Sequence, residues 1–189
     1  MHAQGIIDFG SGQYQPPVHG APTTYTEKGF LFQIIAPTPA YPLPNDFIYI
    51  IDAGSIDPYV PYNSTAYLAF FQVRSPDSYV TFGQTSGDAF GLISVQLANL
   101  PSYPDYDVTF IGTKADGITT VSQTFDIPAG SSFQNYYFDS DFASGLVSVD
   151  IKTTQLLMDN LQFIPEPTTI TLLAFGFLAG FQAFRKRRQ

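Results

Sequence analysis

From Tyr79 to Ile164, apolar and polar residues alternate in short runs separated by turn formers. A period of two puts one set of side chains on one face of a strand and the other set on the opposite face. In "SYVTFGQ", Val80 and Phe82 share a face. In "GLISVQLANL", Ile93, Val95 and Leu97 lie opposite Ser94 and Gln96. Val108 and Phe110 pair in "YDVTFIGT", and Val121, Phe125 and Ile127 in "ITTVSQTFDI". In "LVSVDIK", Val147, Val149 and Ile151 oppose Ser148, Asp150 and Lys152. "FQNYYFD" and "LLMDNLQFI" read as further strands, and Pro165 stops the last. "KADG" is a turn in which Gly117 can take positive φ.

The first 64 residues are punctuated more heavily. "QPPVHGAP", "APTPAYPLPND" and "DPYVPYNST" bracket the strands "GFLFQII" and "FIYIIDA". "AYLAFFQV" is almost wholly apolar and reads as a buried strand. About ten short strands thus fill residues 5–164, with no amphipathic helix and no fixed repeat. The fold class expected is all-β: an antiparallel β-sandwich or jelly roll, one face of each strand in the core. Core material is ample, with 18 Phe and 12 Tyr and no Trp. No cysteine is present, which excludes disulfides, zinc fingers and thiol chemistry.

Charge divides the chain. Residues 1–164 sum to −11 and the last 25 residues to +3. So acidic a body would be repelled by phosphates, and nucleic acid is excluded as a partner. The chain ends "IPEPTTITLLAFGFLAGFQAFRKRRQ". Thr168 to Phe184 carries no charge. As a helix it would span about 25 Å, at the short end for a bilayer core of roughly 30 Å. Arg185, Lys186, Arg187 and Arg188 would act as a cytoplasmic stop, leaving the acidic body outside. A single C-terminal transmembrane helix is therefore expected over residues 168–184. Gly176 and Gly180 form a weak small-xxx-small spacing within it. Before it, Pro165 and Pro167 remove backbone donors and hold an extended, exposed segment around Glu166.

This three-part ending resembles the PEP-CTERM sorting signal of Gram-negative bacteria: Ile-Pro-Glu-Pro-Thr, one membrane segment, and a short basic end. The resemblance covers about 25 residues, with Pro165, Glu166 and Pro167 as the motif. A lysine and a terminal glutamine within the basic end depart from the pattern. It implies handling by exosortase, an integral membrane processing enzyme. It also implies export through a cleaved leader and a link to exopolysaccharide or biofilm matrix. "AFGLISVQLANL", "FIGTKADGITTVSQTF" and "LLMDNLQF" resemble, more loosely, β-sandwich domains that precede this signal. The chain opens without a basic-then-apolar leader. Met1-His2-Ala3 before Gln4 reads as the end of one. The expected organisation is a leader remnant over 1–4, a β-sandwich over 5–164 and the sorting signal over 165–189.

The body offers little chemistry. A serine triad would have to use His2 or His19, near the terminus and in a Pro-rich loop. No catalytic residue is assigned and the chain is not expected to be an enzyme. Most of the carboxylates stand beside Gly, Ser, Pro or Asn, as turn residues do. Calcium is the one cofactor to weigh. Asp139 with Asp141 and Asp105 with Asp107 place oxygen ligands close together, with Asp8 and Asp159 as further candidates. Tyr14, Tyr25, Tyr41, Tyr59, Tyr62 and Tyr103 read as loop tyrosines that pack over the sandwich ends or, alternatively, stack on sugars, a reading the absence of Trp weakens. "NST" at Asn63 matches a glycosylation sequon, as chance provides. The expected role is an exported surface or matrix protein that is structural, adhesive or glycan-binding. The alternative is a secreted polysaccharide hydrolase using a carboxylate pair.

Overall fold

The computed structural model describes residues 4–10, 24–35, 47–51, 66–71, 78–100 and 103–166. The expected helix at 168–184, the basic stop, Pro167, His2 and His19 lie outside the described residues. Among the described residues no helix is long and apolar enough to cross a membrane.

Twelve strands carry the described chain. They are β1 Gly5–Ile7, β2 Thr24–Glu27, β3 Phe30–Ile35, β4 Phe47–Ile51, β5 Tyr67–Phe71 and β6 Tyr79–Gln84. β7 Phe90–Leu97, β8 Tyr106–Lys114, β9 Thr120–Ile127, β10 Gln134–Tyr137, β11 Leu146–Lys152 and β12 Gln155–Pro165 follow. One 3-10 turn, Ser140–Phe142, is the only helical element among the described residues. The ten strands read from the pattern are present. β1 and β2 are additions, too short to show alternation.

Every pairing is antiparallel, and the sheet branches. One branch runs β2-β3-β6-β11-β8-β9; the other runs β10-β7-β12-β5-β4, with β1 also on β12. The branches are joined where Leu146 of β11 pairs with Phe90 of β7. Phenylalanines fill the space between them. Phe30 of β3 meets Phe90 of β7 at 5.0 Å and Phe163 of β12 at 4.7 Å between ring centroids. Phe82 of β6 stacks on Phe32 at 5.0 Å. Phe110, Phe125, Phe138 and Phe142 form a second aromatic group under β8 and β9. Edge-to-face packing of large rings supplies the core that a cysteine-free chain needs.

Strict alternation fails in two strands. In β7, Phe90, Leu92, Val95 and Leu97 are all in the core and Ser94 is buried, so Ile93, Val95 and Leu97 do not form one continuous face. The pairing with β12 shifts register between Asp159 and Phe163, which lets Phe163 sit opposite Leu92. Asn160 takes φ 46° at this irregularity. In β11 a shift between Leu146 and Ser148 puts Leu146 and Val149 in the core while Val147 is only half-buried. Bulges of this kind re-aim side chains without ending the strand.

Candidate functional site

β12 carries the chain to the edge of the fold, and the Pro-Glu pair lies at that edge. Ile164 is in register with Gly91 and Pro165 with Phe90. Pro165, which has no N–H to donate, is exposed at the strand's last position. Glu166 is half-buried and held twice. Its N–H donates to the Ala89 carbonyl at 3.2 Å, and its Oε1 accepts from the Gly145 N–H. An extended, exposed segment was expected; of its two described residues, Pro165 is exposed and Glu166 is half-buried, because backbone hydrogen bonding continues past Pro165 to Glu166.

The loop presenting the Gly145 N–H is itself fixed. Asp139 Oδ1 accepts the Asp141 N–H at 3.0 Å and caps the 3-10 turn. The Lys114 ammonium donates to the carbonyls of Asp141 and Ser144. The Ala115 N–H donates to the Gly145 carbonyl at 2.8 Å. Gly145 has φ 72°, a region costly for other residues. Gly91 allows the close approach: a Cβ there would lie 2.0 Å from the Ala143 carbonyl oxygen.

The calcium candidates are dispersed among other duties. Asp139 spends an oxygen on the cap, and a lysine ammonium sits on the Asp141 carbonyl. Asp105 Oδ1 accepts the Ala129 N–H at 2.6 Å. Asp107 lies across from Asp126 on β9. Asp159, fully buried, accepts from the Asn160 N–H at 2.7 Å and from Asn160 Nδ2 at 3.2 Å. Among the described residues no three or more His, Cys, Asp or Glu converge.

A charged cluster escaped the pattern reading. Lys28 and Gly29 have φ 47° and 81°, the two positive values of a tight hairpin turn between β2 and β3. That turn places Lys28 Nζ 2.5 Å from the Ile6 carbonyl, 3.3 Å from Asp8 Oδ1 and 3.6 Å from Glu27 Oε1. Tyr25 donates its hydroxyl proton to Glu27 Oε2 at 2.6 Å. Burial pushes the Glu27 carboxyl above its ordinary range, while hydrogen bonding with Glu27 pulls Asp8 below its own. Asp8 Oδ1 and Glu27 Oε1 thus share one ammonium, and Glu27 is buried beneath the turn. The "EKGF" turn was the available signal, but nothing local announces that Asp8 folds back onto it.

The tyrosines sort differently than expected. Tyr25 is on β2, packed against Phe9 and Phe32, and is not a loop residue. Tyr14, Tyr41, Tyr59 and Tyr62 lie outside the described residues. Tyr103 is exposed. Tyr137, unremarked in the pattern, is 67% exposed on the edge strand β10. There Asn135 pairs with Gln96 of β7, which in turn pairs with Asp159 of β12. Gln96 Oε1 accepts from Asn160 Nδ2 at 2.9 Å. Amide groups and one aromatic face thus lie together across β10, β7 and β12.

With this geometry in place, comparison with known families decides the C-terminal segment. The profile of the PEP-CTERM protein-sorting motif matches residues 163–188. The chain carries a PEP-CTERM sorting motif. The motif implies an exported precursor, anchored in the membrane and processed by exosortase. It begins inside β12, at the core residue Phe163, so signal and domain share a strand. No curated protein matches the sequence. Among solved structures, an exo-β-agarase matches with 12% identity and a TM-score of 0.50, over 88% of this chain and 26% of that one. A DUF4465 family protein from Bacteroides ovatus matches with 8% identity and a TM-score of 0.45, over 86% and 98%. A family 11 carbohydrate-binding module from Clostridium thermocellum, in complex with a β-1,3-1,4-mixed-linked tetrasaccharide, gives 11%, 0.40, 86% and 95%. The PEP-CTERM chain spans only about a quarter of the agarase, and that likeness is one of fold alone.

Proposed function

We propose that this is a surface or extracellular-matrix protein released by exosortase, its β-domain a jelly-roll sandwich that binds a neutral glycan. The observation that carries the sorting half is the motif at residues 163–188. What supports the glycan half is the row of Asn135, Tyr137, Gln96 and Asn160. Amide groups can exchange hydrogen bonds with sugar hydroxyls, and an exposed ring offers its face to a pyranose. The net charge of −11 on residues 1–164 disfavours a polyanionic polysaccharide and favours an uncharged one.

Two experiments test the halves separately. Intact-mass analysis of protein from its native host should find the basic residues after the motif removed. Mature material that retains Arg185 to Arg188 overturns the sorting half. Affinity electrophoresis through neutral polysaccharides, with and without calcium, should show retardation that Tyr137→Ala weakens about tenfold, as loss of one stacking contact would. Unchanged mobility in every neutral polysaccharide, including the host's own, overturns the glycan half.

A further inference from the structure

We propose that the β-domain contains a receptor site for its own sorting motif, and that this site competes with the processing enzyme for Glu166. The inference rests on the reading that exosortase handles the motif. The site has three parts. The first residues of β7, Phe90 and Gly91, pair with Pro165 and Ile164. The Ala89 carbonyl takes the Glu166 N–H. The Gly145 N–H takes the Glu166 carboxylate.

A backbone N–H donating to a carboxylate makes one of the stronger classes of hydrogen bond. The donor is also preorganised. Its loop is pinned by Lys114 on two carbonyls, by the Asp139 cap and by Ala115 on the Gly145 carbonyl. Gly91 has no side chain, so the loop can lie against β7 beside the strand end it receives. Anchoring Glu166, three residues past Phe163, whose ring packs 4.7 Å from Phe30, ties the motif to the core. An enzyme that threads an extended Pro-Glu segment must first break these contacts. Only the undocked fraction is competent, and apparent affinity falls by that fraction.

The test uses the full chain in detergent micelles or host membranes. Hydrogen exchange reads the site without the enzyme. The Gly145 amide should exchange roughly tenfold to a hundredfold more slowly in the wild type than in Glu166→Ala. Equal exchange in the two overturns the proposal. Processing reads the competition. A flexible spacer of about six Gly and Ser residues between Ile164 and Pro165 leaves the motif whole but carries Glu166 off the domain. The spacer variant should be processed roughly tenfold faster than the wild type. Processing at the same rate or slower overturns the proposal. If neither form is processed, it is the exosortase reading that fails, and Gly145 exchange still decides the site.

Discussion

The β2–β3 and β8–β9 hairpins use similar residues to turn the chain and treat their carboxylates in opposite ways. Each turn holds a lysine, an acidic residue and a glycine at positive φ: Glu27, Lys28 and Gly29 in one, Lys114, Asp116 and Gly117 in the other. In the first, Glu27 is buried and accepts the Tyr25 hydroxyl, and desolvation raises its pKa. In the second, Asp116 is in solvent and its pKa is lowered. The hydroxyl of Thr119 donates to its Oδ2 at 2.5 Å, and the N–H groups of Ile118 and Thr119 donate to Oδ1 at 2.9 and 2.8 Å. The lysines differ too. Lys28 pairs with carboxylates, whereas Lys114 binds carbonyls of the loop that receives Glu166. Turn chemistry decides the bend, and what packs over the turn decides the sign of the electrostatics.

The largest expected difference lies in the cores beneath the two hairpins. Phe30 begins β3 and touches Phe82, Phe90 and Phe163, so Phe30→Ala should cost about 3–5 kcal/mol in guanidinium unfolding. Phe125 of β9 is less completely buried, and Phe125→Ala should fall at or below the lower end of that range. Equal losses would break the contrast.

Next comes pH. Glu27 is raised, so its contribution to stability is full below about pH 4.5 and is lost as pH climbs through its folded value. Glu27→Gln keeps an oxygen for the Tyr25 hydroxyl and removes that loss. Its unfolding midpoint should therefore gain on the wild type as pH rises from 4 to 7. A constant difference across that range would mean Glu27 does not titrate as placed. Asp8 and Glu27 titrate as a coupled pair, so the measured step belongs to both.

The smallest effect is at Asp116. Its lowered pKa contributes stability above about pH 3.8 that is lost as pH falls through the folded value. Asp116→Ala should speed amide exchange at Ile118 and Thr119 while leaving the global unfolding midpoint nearly unchanged. A global shift as large as that of Phe125→Ala would contradict a merely local role.

Strand existence was legible wherever alternation ran for five residues or more, as in β8 and β9. It was not legible in β1 and β2, three and four residues long, because so short a run carries no period. The faces of β7 were misjudged for a different reason. A bulge inserts a residue without changing local composition, and only the partner strand reveals it. The motif residues Pro165 and Glu166 were readable as a signal. Their attachment to Ala89 and Gly145 was not, since those partners stand 77 and 21 residues away from Glu166 along the chain.

What residue order alone determined was the strand class, the turns, the acidic body and the composition of the C-terminal signal. Each depends on neighbours within a few positions, where propensity and periodicity act. Tertiary structure decided which carboxylates lost their water, where the bulges fell, and that the signal begins as part of a paired strand. Those outcomes depend on contacts between distant segments, and desolvation and pairing exist only once such segments meet.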